Sequence, residues 1–375
     1  MTSRTNDTEL LQKLNTDLRS AYIAEEAFWK QMSRNLWLSL GDRNSGFFHT
    51  ITKGRHAVNT FLVLEKTEGE PVFTEKEMTA TIVNYFTNLF QSISGERQSI
   101  VAQALSPKIV EADNEGLLSL PTAHEVHLAL LAIHPDKAPG PDGFSVSFFQ
   151  ANWSTVGPEI VSEIQTFFIS GVMPRTLNHT HVRLIPKTTA SKSVGDYRPI
   201  ARCNVYYKII SKLLAQRLKQ VLANLISENQ SAFVQDRAIS DNILISHEVL
   251  HFLKTSEATK RCSIAVKTDM SKAYDRLEWD FIEAVLLQLG FNLAWTNLIM
   301  QCIKTVTYYF LINGSAQGMV KPQKGIRQGD PLSPYIFILC SEVLSGLCRK
   351  AQEENKLQGI RVATSSPSIN HLLFC

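Results

Sequence analysis

The sequence predicts an α+β fold, in which helices and short strands follow one another without regular alternation. In several long segments apolar residues recur at spacings of three and four, which is typical of amphipathic helices. Short apolar runs, such as 182–185 and 263–269, are typical of strands and are bounded by turn residues. Because helices and strands do not alternate in βαβ order, the pattern does not favour a doubly wound parallel sheet.

The N-terminal part of the chain is predicted to be largely helical. Thr74 can cap a helix whose third residue is Glu77, which is the spacing of a capping box. Residues 94–120 lack clear periodicity and are predicted to be a linker. The other predicted elements are a helix over 8–40, a break at 41–44, a hairpin over 61–73 that turns at Gly69, and a helix over 74–91.

From residue 121 onward the sequence predicts helices and strands together. The loop at 137–143 (KAPGPDG) contains two prolines and two glycines, which exclude regular structure there. A hairpin is predicted around Gly314. The predicted helices cover 122–133, 157–171, 205–225, 240–253, 279–289 and 331–354, and the predicted strands cover 182–185, 263–269, 308–313, 319–322 and 369–374.

Composition excludes several classes of protein. The chain has 375 residues, of which 44% are hydrophobic and 19% charged, so it is neither disordered nor collagen-like. The net charge of +3 is too small to indicate a partner. No apolar run approaches the roughly 18 residues of a membrane span, and the polar N-terminus does not resemble a signal peptide. Six scattered cysteines without a C-x-x-C pair indicate reduced thiols, so we expect an intracellular protein.

One segment has a strong charge bias. Between Arg183 and Lys219 there are nine Lys or Arg residues and one acid, Asp196, so the local net charge is +8. Such a run is compatible with a solvated helix face or with a surface that binds phosphates. The basic residues are Arg183, Lys187, Lys192, Arg198, Arg202, Lys208, Lys212, Arg217 and Lys219.

The segment 267–275 (KTDMSKAYD) follows a predicted buried strand. A carboxylate at the end of a strand, here Asp269, suits Mg²⁺, which prefers oxygen ligands and retains several waters. The same residues are also compatible with a strand-to-helix turn in which Asp269 or Ser271 caps the helix. The segment therefore predicts either a metal ligand or a helix cap.

A second polar loop is formed by 325–334 (GIRQGDPLSP), where two glycines flank a polar run. Glycine lets the backbone approach a ligand closely, and Gln328 offers both a donor and an acceptor. The loop also resembles an ordinary helix entry, with Asp330 as N-cap and Pro331 at the first helical position. Both interpretations are compatible with the same structure.

The segment 247–251 (HEVLH) matches the H-E-x-x-H pattern of zinc proteases on a predicted helix. No third ligand follows at a suitable spacing, since the next histidine is His371. A zinc metalloprotease acting through His247 and His251 is therefore only a distant alternative. The shorter pattern at 124–127 (HEVH) is interpreted as structural.

With both polar loops in place, the chain resembles the reverse transcriptases of non-LTR (long interspersed element) retrotransposons, particularly those of plants. The resemblance covers nearly the whole chain and depends on motifs that occur in the family's order. The helix with His247 and His251 also has a counterpart in the family, where it binds no zinc. The motifs lie in 25–61, 137–143, 184–187 (LIPK), 197–200 (YRPI), 229–242 (NQSAFVQDRAISDN), 267–275 and 325–334.

The resemblance implies the fingers and part of the palm of a right-hand polymerase, preceded by a helical extension. Residues 1–120 would correspond to the tract between endonuclease and polymerase, and 121–375 to the polymerase domain, with its core at 181–375 and without a thumb. The implied reaction is RNA-templated DNA synthesis with Mg²⁺. The implied partners are an RNA template, a DNA primer and deoxynucleoside triphosphates, and no membrane.

The resemblance also implies roles for individual residues. Asp269 would be the catalytic carboxylate that binds the metal, and Tyr274 the steric gate that excludes a ribose 2′-hydroxyl. Asp275 is expected to make a structural pair. The residues implied to bind the nucleotide are Lys187, Arg198, Tyr274, Gln328 and Gly329, and those implied to bind template or primer are Lys137, Gly140, Arg237 and Arg327.

The chain departs from the family at two places. Gln235-Asp236 stands where the family usually has Pro-Gly, and 371–374 (HLLF) is followed by Cys375 where the family has Ala-Asp-Asp. That aspartate pair completes the metal site in the family, so the chain as written is expected to be catalytically incomplete. It is then either a domain whose missing palm strand another fragment supplies, or an inactive nucleic-acid-binding remnant, located in the nucleus or the cytoplasm.

Overall fold

A computed structural model describes residues 2–33, 45–58, 60–66, 68–93, 95–256, 263–363 and 366–374. The N-terminal half of these residues is mainly helical, and the strands of the main sheet lie between 179 and 320. In chain order the elements are α1 Thr2–Ser33, α2 Ser45–Val58, β1 Leu64–Glu65, β2 Pro71–Val72, α3 Glu75–Leu89, α4 Gln98–Ala104, α5 Glu111–Leu118, α6 Ala123–Leu131, α7 Val146–Ala151, α8 Trp153–Ser170, β3 His179–Pro186, β4 Tyr197–Cys203, α9 Val205–Leu225, α10 Ile239–Thr255, α11 Ala273–Arg276, α12 Trp279–Gln288, α13 Leu293–Lys304, β5 Thr307–Ile312, β6 Ser315–Val320 and α14 Ser333–Glu353.

The main sheet has four strands in the order β4-β3-β5-β6. β3 pairs antiparallel with β4 and parallel with β5, and β5 pairs antiparallel with β6, so the sheet is mixed. Helix α3 packs on it, with the rings of Phe86 and Phe310 stacked at 4.6 Å between centroids. Met78 and Ile82 belong to the same buried cluster. This layer fixes where the ends of β3 and β4 lie.

A larger hydrophobic core is formed by helices around α9, whose apolar side chains are buried along its whole length. Helix α6 packs on α9, while α12 packs on α13 and α14. Trp295 of α13 is completely buried in this core. Because α14 begins within the last residues of the polar loop at 325–334, its packing against α12 and α9 helps to position that loop.

Several predicted elements are confirmed. Helix α9 has the predicted bounds, and the hairpin around Gly314 forms as β5 and β6. Helix α3 begins with the predicted capping box, in which Glu77 N donates to Thr74 Oγ1 at 3.3 Å and Thr74 N donates to Glu77 Oε2 at 3.4 Å. The hairpin at 61–73 is confirmed as the short pair β1–β2.

The prediction that 94–120 is a linker is wrong, because α4 and α5 lie within it. Each helix has at most eight residues, which is too few turns for a periodic pattern to be recognised. Helix α4 packs on α12 and α14, so residues before 120 contribute to the same core as those after it. The boundary at 120 stays a prediction. Strand β4 and helix α13 were not predicted either.

The predicted strand at 263–269 is not formed, and its side chains are exposed. Ile264 and Val266 have exposed fractions of 81% and 79%. A β-forming sequence does not hold a strand unless a neighbouring backbone pairs with it. The predicted strand at 369–374 is likewise reduced to two isolated bridges, Ile360 with Ile369 and Gln230 with Leu373.

The predicted helix at 8–40 is confirmed up to Ser33, and the rest of it, like the break at 41–44, lies outside the described residues. Residues 9–25 of α1 are exposed on every face. Within the described ranges, no helix is long and apolar enough to cross a membrane. Among the described cysteines, Cys203, Cys302 and Cys340 are buried free thiols, and Cys348 is a half-buried one.

Candidate functional site

The two polar segments singled out in the sequence lie against each other. We call 272–279 the tyrosine segment and 324–330 the glutamine loop. Ile326 N donates to Tyr274 O at 2.9 Å, and Trp279 Nε1 donates to Gly325 O at 2.8 Å. Gly325 has φ +88°, and a Cβ there would lie 2.9 Å from Asp275 O, so only glycine fits this crossing. The contacts hold the two segments in a fixed arrangement.

The side chain of Asp275 joins the tyrosine segment to Gln328. Its side chain is buried, and Gln328 Nε2 lies 3.4 Å and 3.5 Å from its two carboxylate oxygens. Burial raises the pKa of the Asp275 carboxyl from 3.8 to about 6, although Gln328, Lys272 and Lys187 act in the opposite direction. The expected structural pairing of Asp275 is therefore with Gln328.

Tyr274 and Asp269 lie near a single groove. The ring of Tyr274 stacks on Phe337 of α14, with 5.1 Å between centroids and an interplanar angle of 13°. Phe337 and Asp269 both line a groove of about 700 Å³, together with Glu278 and Arg97. Asp269 itself is exposed. The predicted metal ligand and the ring on which the predicted gate stacks thus line one groove.

Basic side chains lie beside this junction, at the end of the β3–β4 pair. Lys187 directly follows β3, and Arg198 of β4 pairs in register with Ile185 of β3. Both basic side chains are exposed, and Lys187 Nζ donates to Gly195 O at 2.8 Å. Lys272, to which the sequence analysis gave no role, hydrogen-bonds Tyr85 and lies over its ring at 4.6 Å. The position of Lys272 within the 267–275 motif could have indicated such a role from the sequence.

The remaining basic residues of 183–219 do not all contribute to one surface. Arg217 is buried and pairs with Glu125 through two hydrogen bonds of 2.7 and 2.8 Å. Lys192 pairs with Glu65 at 3.4 Å. Both acids lie outside the segment that was counted, so the local charge of +8 overestimates the free positive charge.

The loop at 137–143 packs against the start of α9. Arg202 Nε donates to Pro139 O at 3.2 Å, and Lys208 Nζ donates to Ala138 O at 2.8 Å. A Cβ on Gly140 would lie 2.5 Å from the backbone of both Cys203 and Asn204. Gly140 is therefore needed for close packing, while the side chain of Lys137 is exposed.

We expect Gly140→Ala to lower the free energy of unfolding by about 1–3 kcal/mol, because the added methyl group overlaps backbone that cannot rotate away. Urea denaturation measures this loss. The matched control is Gly54→Ala in α2, where nothing lies within 4 Å of the added atom and alanine favours the helix. Equal stability of the two variants would contradict the packing role of Gly140.

Arg327 was predicted to contact template or primer, but the structure places it in the interior. Its Nη2 donates to Asn178 Oδ1 and Cys302 O, each at 2.5 Å, and its guanidinium lies 3.9 Å from the centre of the Tyr207 ring. Asp330 lies 3.8 Å away. All these partners are distant in sequence except Asp330, so only the folded chain reveals that Arg327 anchors the glutamine loop.

Arg237 also binds protein groups. Its guanidinium donates to three backbone carbonyls, those of Ile226, Ser227 and Gln230. The nearby Asn242 is buried and donates to Asn229 O at 3.0 Å and to Leu373 O at 2.8 Å, which ties 229–231 to the C-terminal segment. Asn242 was not predicted to have a separate role, although its position as a polar residue in the first turn of α10 was a signal.

His247 and His251 are both exposed on α10. Among the residues that the structure describes, no three His, Cys, Asp or Glu side chains lie close enough together to hold a metal ion. The zinc protease alternative therefore has no structural support.

Comparisons with known proteins agree with the motif analysis. The family model described as "Reverse transcriptase (RNA-dependent DNA polymerase)" matches residues 185–374. The chain is 28% identical over 312 residues to the transposon TX1 uncharacterized 149 kDa protein of Xenopus laevis, which covers 82% of this chain and 24% of that protein. It is 71% identical over 65 residues to an uncharacterized mitochondrial protein of Arabidopsis thaliana, covering 17% of this chain and 53% of that one.

A further relative is the retrovirus-related Pol polyprotein from type-1 retrotransposable element R2 of Nasonia vitripennis, 26% identical over 200 residues, which covers 53% of this chain and 19% of the polyprotein. The chain thus spans about a quarter of the transposon TX1 protein and about half of the mitochondrial protein. The family match extends from the end of β3, through both polar segments, to the C-terminal residues. The chain therefore belongs to the reverse transcriptase (RNA-dependent DNA polymerase) family, and its resemblance to the non-LTR retrotransposon members is confirmed.

Proposed function

We propose that the chain is the part of a non-LTR retrotransposon protein that copies an RNA template into DNA from a DNA primer. The observation that supports this most directly is the junction of the tyrosine segment with the glutamine loop, beside Lys187 and Arg198. The junction places a polar amide and an aromatic ring near exposed cations, and a deoxynucleoside triphosphate can bind through such groups.

Within this proposal, 121–375 forms the fingers and part of the palm, with its core at 181–375, and 1–120 is the extension that precedes them. The mixed sheet with helices on it supports this arrangement. An intracellular location, in the nucleus or the cytoplasm, is part of the same proposal.

The family uses divalent metal ions, and Mg²⁺ is the ion proposed here. Proteins commonly hold Mg²⁺ through one or two carboxylates together with substrate phosphates, and the exposed Asp269 offers one such carboxylate. The residues present therefore fit one side of a Mg²⁺ site. When bound, the ion supplies positive charge that neutralises the phosphates.

The other roles belong to side chains of the chain itself. Lys187 and Arg198 bind the triphosphate, because exposed cations at the end of the β3–β4 pair attract phosphate oxygens. Tyr274, held by its stacking on Phe337, limits the space beside the sugar and so favours deoxynucleotides. Gln328 and the exposed Gly329, which has φ +95°, shape the pocket.

Template and primer are proposed to follow the surface that begins at Lys137. Gly140 and Arg237 support this surface from within, since their described contacts are to protein backbone. Arg327 acts in the same indirect way, through the glutamine loop. The exposed, unpaired segment 263–269 is proposed to pair with a further palm strand supplied by another segment or fragment.

Binding of deoxythymidine triphosphate with Mg²⁺, measured by isothermal titration calorimetry, tests the proposal. Lys187→Gln and Arg198→Gln are each expected to raise the Kd about tenfold, since each removes one charge-assisted contact. Lys192→Gln is the matched control, because Lys192 lies in the same connection but pairs with Glu65. If all three variants raise the Kd equally, the nucleotide responds to the overall positive charge, and Lys187 and Arg198 do not form a specific binding site.

The same calorimetric titration tests whether Asp269 binds Mg²⁺. Asp269→Asn is expected to remove the difference between binding with Mg²⁺ and binding with a chelator, while leaving the weaker metal-independent binding in place. No nucleotide binding by the unaltered chain would overturn the proposed function.

The alternative is a nucleic-acid-binding remnant without catalysis. It is favoured by the exposed position of Asp269 and by the lack, in the described ranges, of a cluster of three possible metal ligands. Template-dependent incorporation of deoxynucleotides on an RNA template separates the two functions, because the remnant binds nucleic acid but incorporates nothing.

A further inference from the structure

The residues that join β3 to β4, 187–196, are bonded to a strand that lies far from them in the sequence. We call them the β3–β4 connection. Glu65 N of β1 donates to Lys192 O at 2.9 Å, and Glu65 forms a parallel bridge with Ser193. The next residue, Val194, is buried in the same hydrophobic cluster as the first residue of β1. Because the ion pair between Lys192 and Glu65 is largely exposed, it contributes little, and the backbone contacts and burial hold the connection.

The segment before β1 is itself fixed by Asn313, in the turn between β5 and β6. Phe61 N donates to Asn313 Oδ1 at 2.8 Å, and Asn313 Nδ2 donates to Phe61 O at 3.2 Å. Because β3 and β5 are parallel, this turn and the β3–β4 connection lie at the same end of the sheet. Residues 61–65, which we call the strap, therefore run from Asn313 to the connection. The ring of Phe61 also lies 5.2 Å from that of Tyr197, the first residue of β4.

The part of the connection that the strap contacts is bonded in turn to Lys187. Asp196 Oδ2 accepts hydrogen bonds from Lys192 N at 3.1 Å and from Ser193 N at 2.9 Å. Lys187 N donates to Asp196 O at 2.9 Å, and Lys187 Nζ donates to Gly195 O at 2.8 Å. The backbone and the ammonium group of Lys187 are thus both bonded to the residues that the strap holds in place.

We propose that Asn313 is a positioning residue, which acts through the strap and the β3–β4 connection to hold Lys187 where it binds the phosphates of the nucleotide. The strap lies outside residues 185–374, which the family model matches, so part of the N-terminal extension would serve the nucleotide site. The inference rests on the proposed function for its ligand, but not for the hold of the strap on the connection.

Amide hydrogen exchange of the full chain, measured by mass spectrometry, tests this hold. Asn313→Gly removes the side chain and leaves the turn intact, because glycine adopts the φ of +48° without strain. We expect 61–65 and 188–196 to exchange about tenfold faster, as the loss of two hydrogen bonds implies, while α9 keeps its rate. The matched control is Asn355→Gly, at an exposed asparagine with φ +60°, which should leave both segments unchanged.

A milder variant guards against general loosening of the fold. Asn313→Asp keeps the acceptor for Phe61 N but loses the donor to Phe61 O, so its exchange rates should lie between those of the unaltered chain and of Asn313→Gly. If α9 also exchanges faster in Asn313→Gly, the result for Asn313→Asp decides. Unchanged exchange of 61–65 and 188–196 overturns the inference.

The effect on the site is tested by the Kd of deoxythymidine triphosphate with Mg²⁺. Asn313→Gly is expected to raise it about threefold, less than Lys187→Gln does, because the lysine keeps its charge and loses only its fixed position. The double variant Asn313→Gly/Lys187→Gln should bind as Lys187→Gln does, since no lysine is then left to position. Asn355→Gly should leave the Kd unchanged.

A purely structural role of Asn313 would give a different result in the double variant. A further threefold loss beyond that of Lys187→Gln would show that Asn313 does not act through Lys187, and would overturn the inference. If the unaltered chain binds no nucleotide, the proposed function fails, and the exchange rates still decide whether Asn313 holds the connection.

Discussion

Arg327→Ala is expected to lower the free energy of unfolding by about 3–5 kcal/mol, the usual range when one member of a buried ion pair is removed. The guanidinium lies among Asn178, Cys302 and Tyr207, and Asp330 is its nearest carboxylate. Without Arg327, the carboxylate of Asp330 stays buried with hydroxyl and backbone amide donors, but loses the cation that lies 3.8 Å from it. Chemical denaturation with urea measures the loss.

Two further variants make this result specific. Arg327→Lys keeps the positive charge but loses the planar guanidinium group that donates to two acceptors at once. Its stability should therefore lie between that of the unaltered chain and that of Arg327→Ala. Arg175→Ala removes an exposed arginine and should change stability by about 0.5 kcal/mol or less. If Arg327 contacts template or primer, its alanine variant will instead keep its stability and show a weaker salt dependence of nucleic-acid binding.

Asp275→Asn is expected to stabilise the protein by about 3 kcal/mol at pH 8 and by progressively less as the pH falls. The carboxyl pKa is about 6 in the folded protein against 3.8 as its ordinary value. Between these values the folded state binds more protons than the unfolded state, so stability falls as the pH rises from 4 to about 6 and is level above that range. A difference of about 2 pKa units corresponds to about 3 kcal/mol.

The measurement is the difference in free energy of unfolding between Asp275→Asn and the unaltered chain at several pH values. In this difference the contributions of all other titrating groups cancel to first order, because both proteins contain them. The difference should shrink to a fraction of its value near pH 4 and vanish below about pH 3, where the carboxyl is protonated in both states. Asp236→Asn, at an exposed position with φ +60°, is the control and should show no such trend. A difference in free energy that does not depend on pH would show that the pKa of the Asp275 carboxyl is not raised by burial.

Local features of the fold were predictable from the sequence. The capping box at Thr74 and Glu77 formed as predicted, because its hydrogen bonds join residues three apart. The apolar period over 205–225 gave the bounds of α9 correctly, since a helix of 21 residues contains several turns of that period. The short helices α4 and α5 were missed because they contain too few turns.

The candidate site was predictable in its residues but not in its contacts. The motifs at 267–275 and 325–334 identified both polar segments and the family. They did not reveal that Asp275 meets Gln328 or that Arg327 turns inward, because these contacts join elements from different parts of the chain. A sequence gives the charge of a side chain, whereas its exposure depends on which distant elements pack around it.

Charge and strand formation also depend partly on the local sequence and partly on the tertiary structure. The sequence determined that 183–219 is basic and that 263–269 has the composition of a strand. The tertiary structure decided that Arg217 is neutralised by Glu125 and that Ile264 and Val266 are exposed. The physical reason is that family motifs, caps and helical periods are encoded locally, whereas ion pairs, burial and strand pairing require a partner that only the folded chain provides.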